Sequence, residues 1–158
     1  MNAQDSETSV PEKPTLTRRG RPEGDTPVFP RHSLMESLRL AESIEKNNAG
    51  KPYDRIDLAR SVDMSPNSSS FRDLITSSGR YGLTEGGRAA DKIALTELGS
   101  SIVAPTRDED RGLGLRKALL NPALFNAVYS FFDRKTLPRE ELFKNTLRKQ
   151  FNIRPEDV

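Results

Sequence analysis

The stretch from Ser65 to Val103, SPNSSSFRDLITSSGRYGLTEGGRAADKIALTELGSSIV, constrains the fold more than any other part of the chain. Phe71, Leu74 and Ile75 recur at three- and four-residue spacing, the narrow apolar stripe of an amphipathic helix. Ser65 is placed to cap that helix and Pro66 to begin it, since a first helical position needs no backbone donor. Arg80 to Glu85 reads as a strand, Gly86-Gly87 as turn chemistry and Lys92 to Leu95 as the returning strand. Leu83, Ile93 and Leu95 alternate toward a core across that hairpin. Thr96 then stands at a helix N-cap, with Glu97 in the first turn to complement the helix dipole and Leu98, Ile102 and Val103 turned inward.

Upstream, Ser33 and Glu36 have capping-box spacing, and Leu34, Leu38, Ala41 and Ile44 form one face of the helix they open. Asn47-Asn48-Ala49-Gly50 closes it, because Asn and Gly tolerate a left-handed final turn. A shorter helix is predicted over Asp54 to Val62, with Ile56, Ala59 and Val62 buried. Two helices joined by a tight turn around Asp63 to Pro66 make a helix-turn-helix, and the hairpin behind them completes the outline of a winged helix. Beyond Pro105, helices are predicted from Thr106 to Asn121, from Ala123 to Arg134 and from Arg139 to Asn152. The Leu142, Phe143, Thr146, Leu147 stripe reads as core. The fold class is therefore mainly α with a small β-hairpin: a winged helix-turn-helix followed by a helical extension. It divides into a tail (1–30), the winged domain (31–105) and the extension (106–158).

The tail carries five prolines and almost no apolar periodicity, the composition of a disordered segment. Dilution by such a segment accounts for an apolar content of only 34%. Within it, Arg18-Arg19-Gly20-Arg21-Pro22 resembles the core of an AT-hook. Gly and Pro keep the backbone thin enough for a narrow A·T minor groove; Arg19 and Arg21 would enter it, with Arg18 on a phosphate. Glu23 and Asp25 follow where such motifs stay basic.

The second helix of the pair presents Asn67, Ser68, Ser69, Ser70, Arg72, Asp73, Thr76 and Ser77 outward. Small hydroxyls approach phosphates closely, and Asn67 or Arg72 has the donors to reach base edges. Arg88 and Lys92 lie at the hairpin, where a wing meets the backbone. These residues point to double-stranded DNA as partner. The charge balance pulls the other way: from Ser33 to Pro105 there are nine Lys and Arg against ten Asp and Glu, and the excess, eleven against eight, follows Thr106. The alternative is a protein-interaction or dimerisation module, pairing through the aromatic helix 123–134 or coupling to an effector domain beyond residue 158.

Catalysis finds little footing. There is no cysteine and a single histidine, His32, expected at the solvent-exposed start of the first helix, and no GxxxxGK[ST] loop occurs. No catalytic, cofactor-binding or metal-binding residue is predicted. No apolar run reaches membrane-spanning length and no secretion signal opens the chain, so a cytoplasmic location is expected. Pro155-Glu156-Asp157 reads as the first turn of a further helix, as in the front of a longer protein.

The segments SFRDLITSSGRYGLTEG, KIALTELGSSIVAP and LPREELFKNTLRKQFNI together resemble the N-terminal, winged-helix-like region of a grouping of uncharacterised bacterial proteins, over roughly residues 31–158. The resemblance implies a fold and a place at the front of multidomain proteins. It carries over no catalytic residue.

Overall fold

In the computed structural model the described residues are 29–158. The tail reading over residues 1–28, with Arg18, Arg19 and Arg21, lies outside them. The order is α1 (Leu34–Asn48), β1 (Tyr53–Asp54), α2 (Arg55–Ser61), α3 (Ser69–Arg80), β2 (Thr84–Glu85), β3 (Lys92–Leu95), α4 (Glu97–Val103), α5 (Asp108–Leu120), α6 (Ala123–Phe132) and α7 (Glu140–Phe151), then a 3₁₀ turn at Pro155–Asp157. The described chain is thus mainly helical, with one small three-stranded antiparallel sheet ordered β1-β3-β2. Tyr53 pairs with Ile93 and Asp54 with Lys92 on one side of β3; Thr84 pairs with Leu95 and Glu85 with Ala94 on the other. No helix among the described residues is long and apolar enough to cross a membrane.

Local chemistry sets the helix starts. At α1 the Ser33 hydroxyl accepts from the Glu36 N–H while the Glu36 carboxylate accepts from the Ser33 N–H, so two otherwise unpaired donors are satisfied. The helix ends on Ala49, left-handed at φ 49°. Asp54 caps α2, accepting from Ile56 and Asp57, and Thr96 caps α4, accepting from Gly99. At α5 the Asp110 carboxylate reaches back to the Arg107 N–H, with Thr106 donating to it as well.

α1 lies between two apolar clusters and belongs to both. Leu40 and Ile44 meet Leu58, Phe71, Leu74, Ile75 and Ile93 on one side. Leu38 and Ala41 meet Tyr81, Leu83, Ile102 and Ala118 on the other. Each large side chain so enclosed contributes roughly 1.5–3 kcal/mol relative to exposure, so α1, α3 and the sheet are held more firmly than the last two helices. α7 in particular buries none of its residues.

Several boundaries differ from the sequence expectation. α3 is capped by Ser68 and begins at Ser69, because the Ser65 carbonyl accepts from both the N–H and the hydroxyl of Ser68 and closes a turn first. Pro66 and Asn67 therefore belong to the loop. The first hairpin strand shrinks to Thr84–Glu85, since α3 continues to Arg80 and the amides of Tyr81, Gly82 and Leu83 fold back onto the carbonyls of Ser77, Gly79 and Ser78. The strand at Tyr53–Asp54 has no counterpart in the sequence expectation; it shortens α2 and turns Leu58 inward, while Ile56 is left 48% exposed. Leu142 is 59% exposed, so the expected core stripe of α7 is only a half-buried face. His32, expected in solvent, is half-buried against Glu36.

Candidate nucleic-acid interface

α3 is the helix that sequence reasoning singled out, and its two ends differ. Phe71, Leu74, Ile75, Ser77 and Ser78 are buried, which leaves Ser69, Ser70, Arg72, Asp73 and Thr76 on the outward side. Ser77 leaves the expected outward set, because its hydroxyl accepts from the N–H groups of Arg31 and His32 at 3.1 and 3.2 Å.

At the N-terminal end, Asn67, Ser68, Ser69 and Arg72 are brought together, but most of their polar atoms are engaged within the chain. The Ser68 hydroxyl accepts from Phe71 and donates to Ser65. Arg72 curls back, Nη2 on the Asn67 carbonyl at 2.6 Å and Nε on that of Ser68 at 3.4 Å. Thr76 donates to the Arg72 carbonyl at 2.8 Å, a common way for a helical hydroxyl to satisfy itself. Asn67, Ser69, Ser70 and Arg72 are exposed.

Arg55, missed in the sequence, reinforces this loop. Its Nη2 donates to the Pro66 carbonyl at 2.9 Å and its guanidinium lies over the Phe71 ring at 5.8 Å, while its Nε is buried without a partner. Its backbone N–H holds the Asp91 carbonyl, tying the hairpin to α2. Arg88 and Lys92 are exposed on that hairpin, away from the Asn67–Arg72 group in sequence.

α3 also meets the segment that precedes α1. Arg31 pairs with Asp73 at 3.3 Å, and Arg80 donates from Nη1 to the Phe29 carbonyl at 2.5 Å. Burial, and then the charges of Arg88 and Arg31, push the Arg80 guanidinium below its ordinary value, partly opposed by Asp73. The sequence placed Arg80 at the start of a strand, and nothing local indicated that residues 42 and 51 positions apart would meet.

The buried Tyr81 hydroxyl donates to the His32 carbonyl at 3.2 Å; burial, and then Glu36, raise its pKa. Next to it, an apolar groove of about 420 Å³ runs between α5, α6 and α7, lined by Phe29, Leu120, Phe125, Phe143, Leu147 and Ile153 among others, with the Phe125 ring 6.1 Å from that of Tyr81. The aromatic residues of α6 meet α7 in the same chain: Phe131 contacts Phe151 and Phe132 contacts Phe143, with ring centroids 5.6 and 5.2 Å apart. Among the described residues no three acidic or histidine side chains converge as a metal site. Comparison with protein-family models, with curated proteins and with solved structures finds no match.

Proposed function

We propose that residues 31–105 form a winged-helix DNA-binding module, regulatory and non-enzymatic, with α3 as the helix that enters the major groove and the β2–β3 hairpin as the wing. The observation that carries this reading is the order of elements. Helix, strand, helix, helix, strand, strand, with β3 between β1 and β2, is the order expected of a winged helix. α3 follows α2 after the loop of residues 62–68 and stands beside a hairpin whose tip is exposed. In this reading Asn67 and Ser69 face base edges or phosphates. Arg72 shapes the loop that presents them, and Arg88 and Lys92 meet the backbone.

Titrating the chain against duplex DNA over a range of salt tests the proposal. Binding that weakens linearly in log–log form as salt rises supports it; no binding at low salt overturns it. Asn67→Ala is expected to weaken a preferred sequence by about 1–3 kcal/mol if it reads a base.

The second reading, an interaction module, is favoured by the exposed apolar residues of the extension, Tyr129, Leu137 and Leu142. A homodimer through 123–134 has less of the helix to work with than the sequence implied, because Phe131 and Phe132 already pack on α7.

A further inference from the structure

We infer that the apolar groove between α5, α6 and α7 is the seat of the chain's own Thr26-Pro27-Val28, the residues that run into it. The inference stands apart from DNA binding and holds whether or not α3 meets a duplex.

The groove is open at its rim. Leu119 and Tyr129 line it and are 47% and 48% exposed, while Phe125, Phe143 and Leu147 are half-buried. Its volume, about 420 Å³, falls within the roughly 300–1,000 Å³ of sites that hold a compact ligand. The acid on its wall, Asp157, accepts from Arg154 Nε at 2.7 Å, so the groove offers apolar surface rather than a free charge.

Phe29 indicates what covers it. The described chain begins at this residue, and Phe29 itself lines the groove. Its place is fixed. The Phe29 carbonyl accepts from Arg80 Nη1 at 2.5 Å, Pro30 is buried, and the Arg31 and His32 amides donate to the Ser77 hydroxyl at 3.1 and 3.2 Å. Val28 is therefore delivered to the edge of the groove, its Cα about 3.8 Å from that of Phe29. Thr26 and Phe29 each precede a proline, which steers both to extended backbone. Side chains alternate along an extended chain, so Pro27 falls on the same side as Phe29. Extended segments with proline suit aromatic-lined grooves, because their backbone is stiff before it docks and little entropy is lost.

Covalent attachment decides between this segment and a second copy. A segment joined directly to a fixed residue has an effective concentration of millimolar order, against which a second copy at micromolar concentration competes poorly. The seat also bounds the arginine run of the tail. Arg21 stands five residues before Thr26, at most about 17 Å away, and so is confined to the neighbourhood of the groove.

The test is nuclear Overhauser spectroscopy on the full, isotope-labelled chain, with Pro27→Asp compared with wild type. That substitution removes no contact within residues 29–158, so the fold is retained. Wild type is expected to show cross-peaks from the Pro27 ring to the rings of Phe125, Tyr129 or Phe143. In Pro27→Asp those peaks are lost and the methyl signals of Leu124, Val128 and Leu147 shift, while those of Leu58 and Ile93 in the other cluster stay. Fluorescence of the apolar dye ANS is expected to rise in the variant as the groove is vacated. Wild type without the cross-peaks, or a variant with unchanged groove methyls and dye fluorescence, overturns the inference. Cross-peaks found only between differently labelled chains in a mixed sample make a second copy the occupant and overturn it too. Each of these results leaves the DNA-binding reading to its own salt titration.

Discussion

Two glycines in neighbouring helices are predicted to respond to the same substitution with opposite sign. A Cβ built at Gly99, in α4, falls 2.0 Å from the Leu83 carbonyl oxygen and 3.0 Å from its carbon, whereas one at Gly112, in α5, meets nothing within 4 Å. Ordinary contact begins near 3.4 Å, so Gly99→Ala must drive α4 and the root of the hairpin apart by about 1.4 Å. The obstacle is backbone, which no rotamer change relieves. Overpacking of this kind costs about 1–3 kcal/mol. The same Leu83 carbonyl accepts from the Thr96 N–H at 3.1 Å and from its hydroxyl at 3.2 Å. The one hydroxyl proton goes chiefly to the Gly82 carbonyl at 2.6 Å, so moving Leu83 weakens mainly the backbone bond, worth about 1 kcal/mol. Alanine's better helix propensity returns about 1 kcal/mol. The net expectation for Gly99→Ala is a loss of about 1–3 kcal/mol, and for Gly112→Ala, where only the propensity acts, a gain of about 0.5–1 kcal/mol. Urea unfolding followed by circular dichroism should separate the two midpoints by roughly 1–2 M. If Gly99→Ala is as stable as wild type, or Gly112→Ala is the less stable of the two, the close approach of α4 to the hairpin is wrong.

Ser33→Ala removes the hydroxyl half of the α1 capping box and is expected to destabilise by about 1 kcal/mol. Hydrogen bonds from the Ser33 backbone and then its hydroxyl hold Glu36 below its ordinary 4.5, so this carboxylate adds stability above that pH and loses it as the pH falls through its folded value. The gap between wild type and variant in chemical unfolding should accordingly narrow well below pH 4.5, and a gap that widens there would contradict the sign. Phe143→Ala, on a helix with no buried residue, should cost clearly less than Phe71→Ala in the enclosed cluster, where about 3–5 kcal/mol is expected. Equal losses in thermal or urea unfolding would mean that α7 is part of the main core.

Much of the fold was legible because it is written in local chemistry. Ser33 with Glu36, Thr96 before a first-turn acid and the Phe71–Leu74–Ile75 stripe each specify an element through contacts three or four residues apart. Errors fell where a competing turn or distance in sequence decides. Ser65 looked like a cap, yet its carbonyl is the acceptor that closes a turn on Ser68. Tyr53–Asp54 is a strand only because Ile93 and Lys92 lie beside it. Gly114 lowers the helix propensity of α5, but a methyl there would sit 2.5 Å from Ile102, so its smallness lets α5 close on α4.

The same holds for the polar face of α3. A run of Asn and Ser with one arginine marks an outward helix face, but it does not say which polar atoms are already satisfied. Arg72, the expected base reader, donates to the carbonyls of its own loop, and Thr76 donates to Arg72. For Arg72 to reach a base it must give up a 2.6 Å charge-assisted bond and release Asn67, so its substitution acts on presentation first and on contact second. The two roles separate experimentally. Arg72→Lys retains the charge but loses the two-pronged hold on successive carbonyls. A loop-shaping arginine then predicts weakened binding across all DNA sequences with the salt slope intact, while a phosphate or base contact predicts that lysine largely rescues phosphate binding or relaxes preference at one position. Arg31 and Arg80 lay beyond sequence reasoning because Ser77, the residue that brings their segments together, looked like one more exposed hydroxyl. Burial of that one side chain holds the segment before α1 against α3.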